Sequence, residues 1–355
     1  MKNIREALTF DDILLEPRYS IVEHLEDINT KTQISKNVRL DIPIISAAMD
    51  TVTESALAIA LARAGGLGVL HRNCSIEEQV REVQKVKKEN LLVAGAVGPH
   101  DIDRAIILDK EGVCAIFIDC ATAHKKDVIK SAQKIKNKIK ADIIVGNIAT
   151  ADAARALIPF ADGIKVGVGP GSICTTRVVS GVGVPQLTAL MDVVSIAYRA
   201  KIPVIADGGI KYSGDIIKAL ATGANAVMLG SMFAGTKETP GEIIMINGVK
   251  YKNYRGMGSI GAMQKGEGTD RYFQNGAKKY VPEGVEGLMR YKGKAEDIIY
   301  NMIGGLRSGM GYIGAKKIGE ISKQARFIKI TPAGLTESHP HSLSIHEDTP
   351  NYGKK

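Results

Sequence analysis

Short apolar segments alternate with longer amphipathic segments along most of the chain. The apolar segments are almost continuous in Val, Ile, Leu and Ala, which is typical of parallel strands that are covered on both faces. Eight are present: Ile42–Ala48, Leu67–Leu70, Leu91–Val97, Cys114–Asp119, Asp142–Asn147, Gly163–Val168, Ile202–Asp207 and Ala226–Ser231. The segments with helical periodicity are Glu54–Ala64, Ile76–Lys88, Asp101–Lys110, Lys125–Lys138, Thr150–Pro159, Pro185–Ala200 and Ser213–Thr222. This alternation predicts an α/β fold, a (β/α)8 TIM barrel.

The eighth helix of this pattern is delayed. Residues 236–294 are rich in glycine and weakly periodic, and a helical pattern resumes only at Ala295–Arg307. So long a segment of weak structure in a compact domain is usually a lid or a functional loop. We therefore predict a single catalytic barrel domain over 1–355 that carries a mobile flap insertion at 236–294. The polar tail, 331–355, is expected to be irregular, and either disordered or bound to something.

The composition is that of an ordinary globular protein, with 45% hydrophobic and 24% charged residues. Charges occupy the first residues where a signal peptide would be apolar, and no apolar run is long enough to cross a bilayer. We therefore expect a soluble, cytoplasmic protein with no membrane partner. The formal net charge of +9 favours anionic ligands. Because the lysines are dispersed and not interleaved with aromatic residues, a phosphorylated metabolite is favoured over nucleic acid.

The loop after the sixth strand has the residues of a reactive site. It reads GVGPGSICTTR over 167–177. Its glycines allow the backbone to approach a ligand closely, and Pro170 restricts the loop. A nearby cation or amide dipoles could activate Cys174, so that its thiolate attacks an electrophilic carbon. Since barrel active sites lie where strands end, this position indicates a nucleophile. The other cysteines have no metal-ligand or disulfide spacing.

Two further strand ends suit a phosphorylated ligand. Asp207-Gly208-Gly209 ends the seventh strand, and Gly230-Ser231 ends the eighth. Backbone amides after these strands commonly bind phosphate in barrels, and a carboxylate at Asp207 suits ribose hydroxyls. In the insertion, Arg271 stands beside Tyr272. This pair could orient or deprotonate water if the site lowers the proton affinity of the arginine.

The chain resembles the IMP dehydrogenase family over nearly its whole length. The segments that carry the resemblance are GVGPGSICTTR (167–177), PIISAAMDTVTE (43–54), VIADGGIKYSGD (204–215), YRGMGSIGAM (254–263), DRYFQ (270–274), VPEGVEG (281–287) and GLTESHPH (334–341). The resemblance implies that Cys174 attacks C2 of IMP, hydride passes to NAD, and NADH leaves. The flap then closes and Arg271 activates the water that releases XMP, a step of guanine nucleotide biosynthesis.

The resemblance also implies a set of site residues. The catalytic residues would be Cys174, Arg271, Tyr272, Thr176 and Glu283, with the last two resembling a secondary proton relay. The substrate would bind Met49, Asn147, Ser172, Asp207, Gly208, Gly209, Gly230, Ser231, Tyr254, Gly256, Met257, Gly258 and Glu283. The NAD cofactor would bind Asp119, Gly167, Gly169 and Thr176. Carbonyl groups of Gly169, Gly171 and Cys174 would hold a potassium ion. Glu337, Ser338 and His339 of a neighbouring subunit would complete that ion site in a homotetramer.

The chain departs from the family pattern in two places. The family usually has a pair of regulatory CBS domains after the second helix, whereas here Lys85–Asn90 runs directly into Leu91. The CBS pair is therefore predicted to be absent at about 88–91. After the fourth strand the family typically reads Asp-Ser-Ala-His-Gly-His-Ser, and this chain reads DCATAHK over 119–125. Asp119 is kept but the His-Gly pair is lost, which affects the expected NAD site.

Two alternative functions remain open from the sequence. GMP reductase shares the fold, the cysteine loop and the lack of regulatory domains, but it releases ammonia and needs no hydrolytic lid. The DRYFQ and ESHPH segments favour the dehydrogenase. A catalytically impaired nucleotide-binding barrel is the other alternative, and the altered residues 119–125 motivate it.

Overall fold

The computed structural model describes residues 4–265, 269–274, 278–343 and 352. Its strands, β1 to β15 in chain order, are Ile13–Leu15, Thr32–Gln33, Arg39–Leu40, Ile44–Ser46, Leu67–Leu70, Ala94–Val97, Ala115–Asp119, Asp142–Ile148, Gly163–Val166, Val204–Asp207, Ala226–Leu229, Ile244–Ile246, Val249–Arg255, Glu286–Arg290 and Phe327–Lys329. Its helices, α1 to α12, are Ser55–Arg63, Ile76–Lys87, Ile102–Lys110, Lys126–Lys136, Ala151–Leu157, Thr176–Ser180, Gln186–Ala200, Ser213–Ala221, Ile260–Gln264, Ala295–Ile313, Ile318–Gln324 and Pro332–Glu337. Short 3-10 helices are Phe10–Asp12, Leu25–Asp27 and Thr269–Tyr272.

Eight of these strands close into a parallel barrel. They run in order from β4 to β11, and β11 pairs again with β4. For example, Ile45 of β4 lies opposite Met228 of β11 and Leu67 of β5. Each barrel strand coincides with one of the apolar segments of the sequence. The predicted (β/α)8 barrel is therefore confirmed.

The barrel strands separate two apolar layers. Phe117 of β7 lies in the cluster that fills the barrel, together with Ile45 and Met228. Its neighbours Ile116 and Ile118 belong to the outer cluster, which packs against the helices. Because successive strand residues face opposite sides, strands buried on both faces need apolar residues at nearly every position. Polar residues therefore collect at the strand ends.

Helix α2 begins at a cap that its sequence encodes. The Ser75 hydroxyl accepts a hydrogen bond from the Glu78 N–H at 3.1 Å, and the Glu78 carboxylate accepts one from the Ser75 N–H at 2.9 Å. This reciprocal pair is a capping box. After α2 ends at Lys87, residues 88–93 lead directly into β6. The chain thus has only a short connection where the CBS pair is predicted to be absent.

The insertion between β11 and α10 contains a small antiparallel sheet. Strands β12, β13 and β14 pair in that order, with Tyr254 of β13 opposite Gly287 of β14. The expectation of a weakly structured segment is therefore wrong for this part of the insertion. The buried face of β13 carries Lys252, whose Nζ donates to the carbonyl oxygens of Thr236 and Thr239. A charged residue on the buried face hides the alternation by which strands are recognised.

The tail begins with a helix. The Thr331 hydroxyl accepts a hydrogen bond from the Gly334 N–H at 3.2 Å, and Pro332 occupies the first turn of α12. The expectation that the tail is irregular is therefore wrong for these residues, although Thr-Pro is a known start signal for a helix. Residues 344–351 and 353–355 lie outside the described residues.

Among the described residues, no helix is long and apolar enough to cross a bilayer.

Candidate active site

A cavity of about 350 Å³ opens at the carboxyl ends of the barrel strands. It is lined by most of the residues that the sequence predicts for the site: Met49, Asn147, Gly167, Gly169, Gly171, Ser172, Cys174, Thr176, Asp207, Gly208, Gly209, Gly230, Ser231, Tyr254, Gly256, Met257, Arg271, Tyr272 and Glu283. Three predicted groups lie outside this lining. Gly258 lies against the Tyr272 ring, Asp119 is buried, and Glu337–His339 belong to the tail.

The cysteine loop is held in place by the insertion. The Thr175 N–H donates to the Glu283 carbonyl at 2.9 Å, and the Val285 N–H donates to the Ile173 carbonyl at 3.0 Å. These bonds fix Cys174 at the cavity wall. Its thiol donates to the Thr176 hydroxyl, with 3.2 Å between Sγ and Oγ1. Burial lowers the pKa of Arg177, and interaction with Cys174 opposes that shift. The Arg177 guanidinium therefore lies close enough to interact with Cys174.

One end of the cavity is suited to an anion. The Tyr254 side chain is buried, and its hydroxyl lies beside Gly230 and interacts with Ser172. Burial raises the pKa of Tyr254 to about 12, so its hydroxyl remains a hydrogen-bond donor at neutral pH. Gly208 and Gly209 have φ values of +90° and +83°, a conformation that glycine adopts far more readily than other residues.

A buried lysine joins two of the predicted binding carboxylates. The Lys165 side chain on β9 is 2% exposed, and its Nζ lies 3.0 Å from Asp119 Oδ1 and 2.6 Å from Asp207 Oδ2. The same Nζ donates to the Asn147 side-chain oxygen. The Asn147 amide donates in turn to Asp207 at 2.9 Å. A buried ammonium shared by two carboxylates fixes both of them and offsets part of the cost of burying their charge.

Lys165 is a site residue that the sequence interpretation missed. It lies inside an apolar segment that was assigned only as a strand. A single charged residue within a strand that is buried on both faces was a usable signal, because such residues are rarely buried unless paired.

Two residues of the insertion segment 269–274, Arg271 and Tyr272, line the cavity. Arg271 forms an ion pair with Asp119, and its carbonyl accepts a hydrogen bond from the Ala121 N–H at 3.0 Å. Asp270 forms a buried ion pair with Arg72, at 2.7 Å. The Tyr272 ring packs so closely on Gly258 that a Cβ there would lie 2.6 Å from the ring. These contacts hold Arg271 and Tyr272 in the wall of the cavity that Cys174 also lines.

The altered residues after β7 also contact this segment. The Lys125 Nζ lies over the Phe273 ring, 3.1 Å from its centre. A cation–π contact of this kind is attractive. The part of the chain that departs from the family pattern is therefore in contact with residues 269–274 of the insertion.

Burial changes the acid–base properties of Arg271 and Tyr272. It lowers the pKa of Arg271 and raises the pKa of Tyr272, and interaction between the two side chains opposes both shifts. Interaction with Cys174 adds to the rise for Tyr272. The guanidinium therefore loses its proton more readily than a solvated arginine would.

The predicted ion site is divided between two places in a single chain. Gly169, Gly171 and Cys174 line the cavity. His339 lies instead against Tyr212, with 5.6 Å between ring centres, and its Nδ1 lies 3.0 Å from the Tyr352 hydroxyl. No group of three or more His, Cys, Asp or Glu residues that could hold a metal occurs in the part of the chain that the structure describes.

Comparison with known proteins agrees with the resemblance. The IMP dehydrogenase / GMP reductase domain matches residues 7–341. The chain is 47% identical to the inosine-5'-monophosphate dehydrogenase of Cryptosporidium parvum over 399 residues, covering 99% of each chain. It is 43% identical to that of Methanocaldococcus jannaschii over 485 residues, covering 98% of this chain and 97% of the relative. It is 41% identical to that of Halobacterium salinarum over 480 residues, covering 98% and 96%.

The alignments with the two archaeal relatives extend over more positions than the 355 residues of this chain. Those relatives therefore contain residues that this chain lacks. The matched domain nonetheless covers nearly all of the chain, and it includes every residue that lines the cavity. This protein belongs to the IMP dehydrogenase / GMP reductase family.

Proposed function

We propose that this protein is a cytoplasmic IMP dehydrogenase, which oxidises IMP to XMP with NAD in guanine nucleotide biosynthesis. The observation that carries the proposal is that Cys174 and the Arg271–Tyr272 pair line one cavity, which also has an end suited to an anion. Oxidation through a covalent intermediate needs a nucleophile, and hydrolysis of that intermediate needs a group that activates water. Both the nucleophile and the group that activates water line the same cavity.

The substrate lies along the cavity with its phosphate at the anion end. The phosphate contacts Ser172, Gly208, Gly209, Gly230, Ser231 and Tyr254. Asp207 accepts hydrogen bonds from the ribose hydroxyls, because Lys165 and Asn147 hold its carboxylate in place. The base is held by Met49, Gly256, Met257, Gly258 and Glu283. Asn147 flanks the reacting carbon, which lies against Cys174.

Oxidation begins with the Cys174 thiolate. It adds to C2 of the base while the C2=N3 double bond opens and N3 takes up a proton. The hydrogen at C2 then leaves with its electron pair as hydride, N3 releases its proton, and the C2=N3 bond re-forms. NAD supplies the hydride acceptor. The chain contributes two backbone hydrogen bonds that orient Cys174, one from the Thr175 N–H to the Glu283 carbonyl and one from the Val285 N–H to the Ile173 carbonyl. The nucleotide remains attached to sulfur as a thioimidate.

The residues around the cavity suit NAD. A second cavity of about 350 Å³ adjoins the first, shares Thr176, Tyr272 and Glu283 with it, and has a largely apolar lining. Gly167 and Gly169 line the first cavity, and we assign the NAD ribose to Asp119. Arg271 pairs with Asp119 in the closed arrangement, so the cofactor and Arg271 use this carboxylate in turn. When Arg271 leaves, Asp119, Asp207 and Lys165 carry one net negative charge, which suits a positively charged nicotinamide.

Hydrolysis follows closure of residues 269–274. Burial beside Tyr272 lowers the pKa of Arg271, whereas its ion pair with Asp119 favours the charged form. Arg271 therefore aligns the water while it is paired and takes a proton from it once the pair with Asp119 is broken. The water adds to C2, the bond to Cys174 breaks, and the thiolate is restored. Thr176 and Glu283, which line the same cavity, form a second route for the proton.

A potassium ion and a homotetramer complete the proposal. The carbonyl oxygens of Gly169 and Cys174 accept no backbone hydrogen bond from the described residues, and such oxygens suit a hard cation. They would hold the ion together with Gly171. Glu337, Ser338 and His339 of a neighbouring subunit would supply the remaining ligands.

Exchange of Na⁺ for K⁺ should increase turnover, because an ion of the right size would order the loop that carries Cys174. Truncation before Gly334 should remove the increase, since it deletes the ligands from the neighbouring subunit. Steady-state rates in matched chloride salts, and the mass of the assembly, measure both effects. Equal rates in the two salts with the tail intact would count against the ion site.

Paired assays of the purified protein distinguish the three candidate functions. We expect NADH and XMP from IMP plus NAD, and no oxidation of NADPH with GMP. Ammonia and IMP from GMP plus NADPH would instead identify a GMP reductase. Binding of IMP without turnover in either assay would identify an impaired nucleotide-binding barrel. Arg271 and Tyr272, which belong to the segment 269–274, line the cavity. This favours the dehydrogenase, because only the dehydrogenase needs a hydrolytic lid.

A further inference from the structure

Lys292 carries a positive charge behind the proposed phosphate site. It lies between β14 and α10, and its Nζ donates to the Ser231 carbonyl at 2.6 Å and to the Met232 carbonyl at 3.2 Å. Burial lowers the pKa of Lys292 to about 8, so the side chain is largely protonated at neutral pH. Among the described residues it has no carboxylate partner within ion-pair distance.

The segment around Lys292 is fixed to the turn that follows β11. The Lys292 N–H donates to the Gly235 carbonyl at 2.9 Å, and the Lys237 N–H donates to the Gly293 carbonyl at 2.7 Å. The Ala295 N–H donates to the Glu238 carboxylate at 2.8 Å. Because the backbone is held on both sides, the ammonium has a defined position relative to Ser231.

The turn itself has N–H groups available to a ligand. The N–H groups of Phe233 and Ala234 donate to the Gly230 carbonyl at 3.1 and 2.9 Å. Those of Ser231 and Met232 donate to no backbone carbonyl among the described residues. Lys292 therefore binds the carbonyl oxygens of the two residues whose N–H groups are free to meet an anion.

A partly buried ammonium without a counter-ion carries a desolvation cost, so its retention calls for a compensating interaction. The substrate phosphate is an anion that the proposed function brings to Ser231. We propose that Lys292 is a positioning residue for the substrate phosphate: it holds the turn 230–234 in its binding conformation and supplies part of the counter-charge. This inference rests on the proposed function, since it assumes that a 5'-phosphate binds at Ser231.

Comparison of IMP with inosine tests the inference, because the two ligands differ only in the phosphate. The Lys292→Met variant should bind IMP about tenfold more weakly and inosine within about twofold of wild type. Lys292→Arg, which keeps the charge, should recover most of the loss. The value of kcat at saturating IMP should change much less than KM, since the residue is remote from C2.

Lys252→Met is the matched control. Lys252 is a buried lysine that, like Lys292, donates to backbone carbonyls, but those belong to Thr236, Lys237 and Thr239. Its loss should leave the ratio of IMP to inosine affinity unchanged. If Lys292→Met does not fold, Lys292→Gln gives the same comparison, since it lacks the charge and can still donate to a carbonyl.

Equal weakening of IMP and inosine would show a purely structural role and overturn the inference. If the Lys292→Met variant bound IMP as tightly as wild type, the inference about Lys292 would also be overturned, but the proposed function would be unaffected. A wild-type protein that binds neither ligand would refute the proposed function and, with it, this role of Lys292.

Discussion

Replacement of Cys174 with alanine should reduce NADH formation by at least about 10⁴-fold, while IMP binding stays within about tenfold of wild type. The thiolate is the group that forms the bond to C2, and the cavity offers no second nucleophile in the same position. The phosphate and ribose contacts come from other strands, so they survive the substitution. Steady-state rates and a binding titration measure the two quantities separately.

Cys114→Ala is the control for this experiment. Burial raises the pKa of Cys114 to about 12, which keeps its thiol protonated and unreactive, and the residue lies outside the cavity lining. This variant should keep most of its turnover. Appreciable NADH production by Cys174→Ala would refute the covalent mechanism.

Replacement of Arg271 with alanine should separate the two halves of the reaction. Hydride transfer precedes closure of the flap, so close to one equivalent of NADH per site should appear in a burst. Steady turnover should then fall by about 10²–10⁴-fold, because hydrolysis loses its proton acceptor. Rapid-mixing absorbance of NADH resolves the burst from the slow phase.

The pH dependence of the slow phase tests the role of Arg271 further. The active form of a base is deprotonated, so the wild-type rate should rise with pH, and burial of Arg271 brings that rise to lower pH. Arg271→Ala should lose this part of the profile. Lys279→Ala, which removes an exposed charge from the same insertion, should change neither phase. Loss of burst and turnover together in Arg271→Ala would mean that Arg271 acts in binding or hydride transfer instead.

The barrel was predictable because its strands are buried on both faces. In β8, for example, Ile143 and Val145 belong to the outer apolar cluster and Ile144 to the inner one, so the centre of the strand is a continuous apolar run that is visible in the sequence. The ends of these runs then indicated the positions of Cys174 and Asp207. The convergence of these residues on one cavity follows from barrel closure.

The role of Lys165 was not predictable from the strand pattern alone. Its contacts depend on register, since Lys165 lies opposite Gly146 of β8 and Ile205 of β10, and Asp119 comes from a third strand. A shift of one residue in the register of β9 would turn the Lys165 side chain to the other face of the barrel wall. The pairing of Arg271 with Asp119 was hidden for a similar reason, because it depends on how the insertion folds back over the barrel.

The central claim, a covalent purine on Cys174, is tested most directly by mass spectrometry of quenched Arg271→Ala. This variant should accumulate the intermediate when it is mixed with IMP and NAD, because its hydrolysis is slow. Acid quenching and digestion should yield the peptide that contains Cys174 with the added mass of the nucleotide, in proportion to the NADH burst. A full burst with an unmodified Cys174 peptide, or with the nucleotide on another cysteine, would contradict the mechanism.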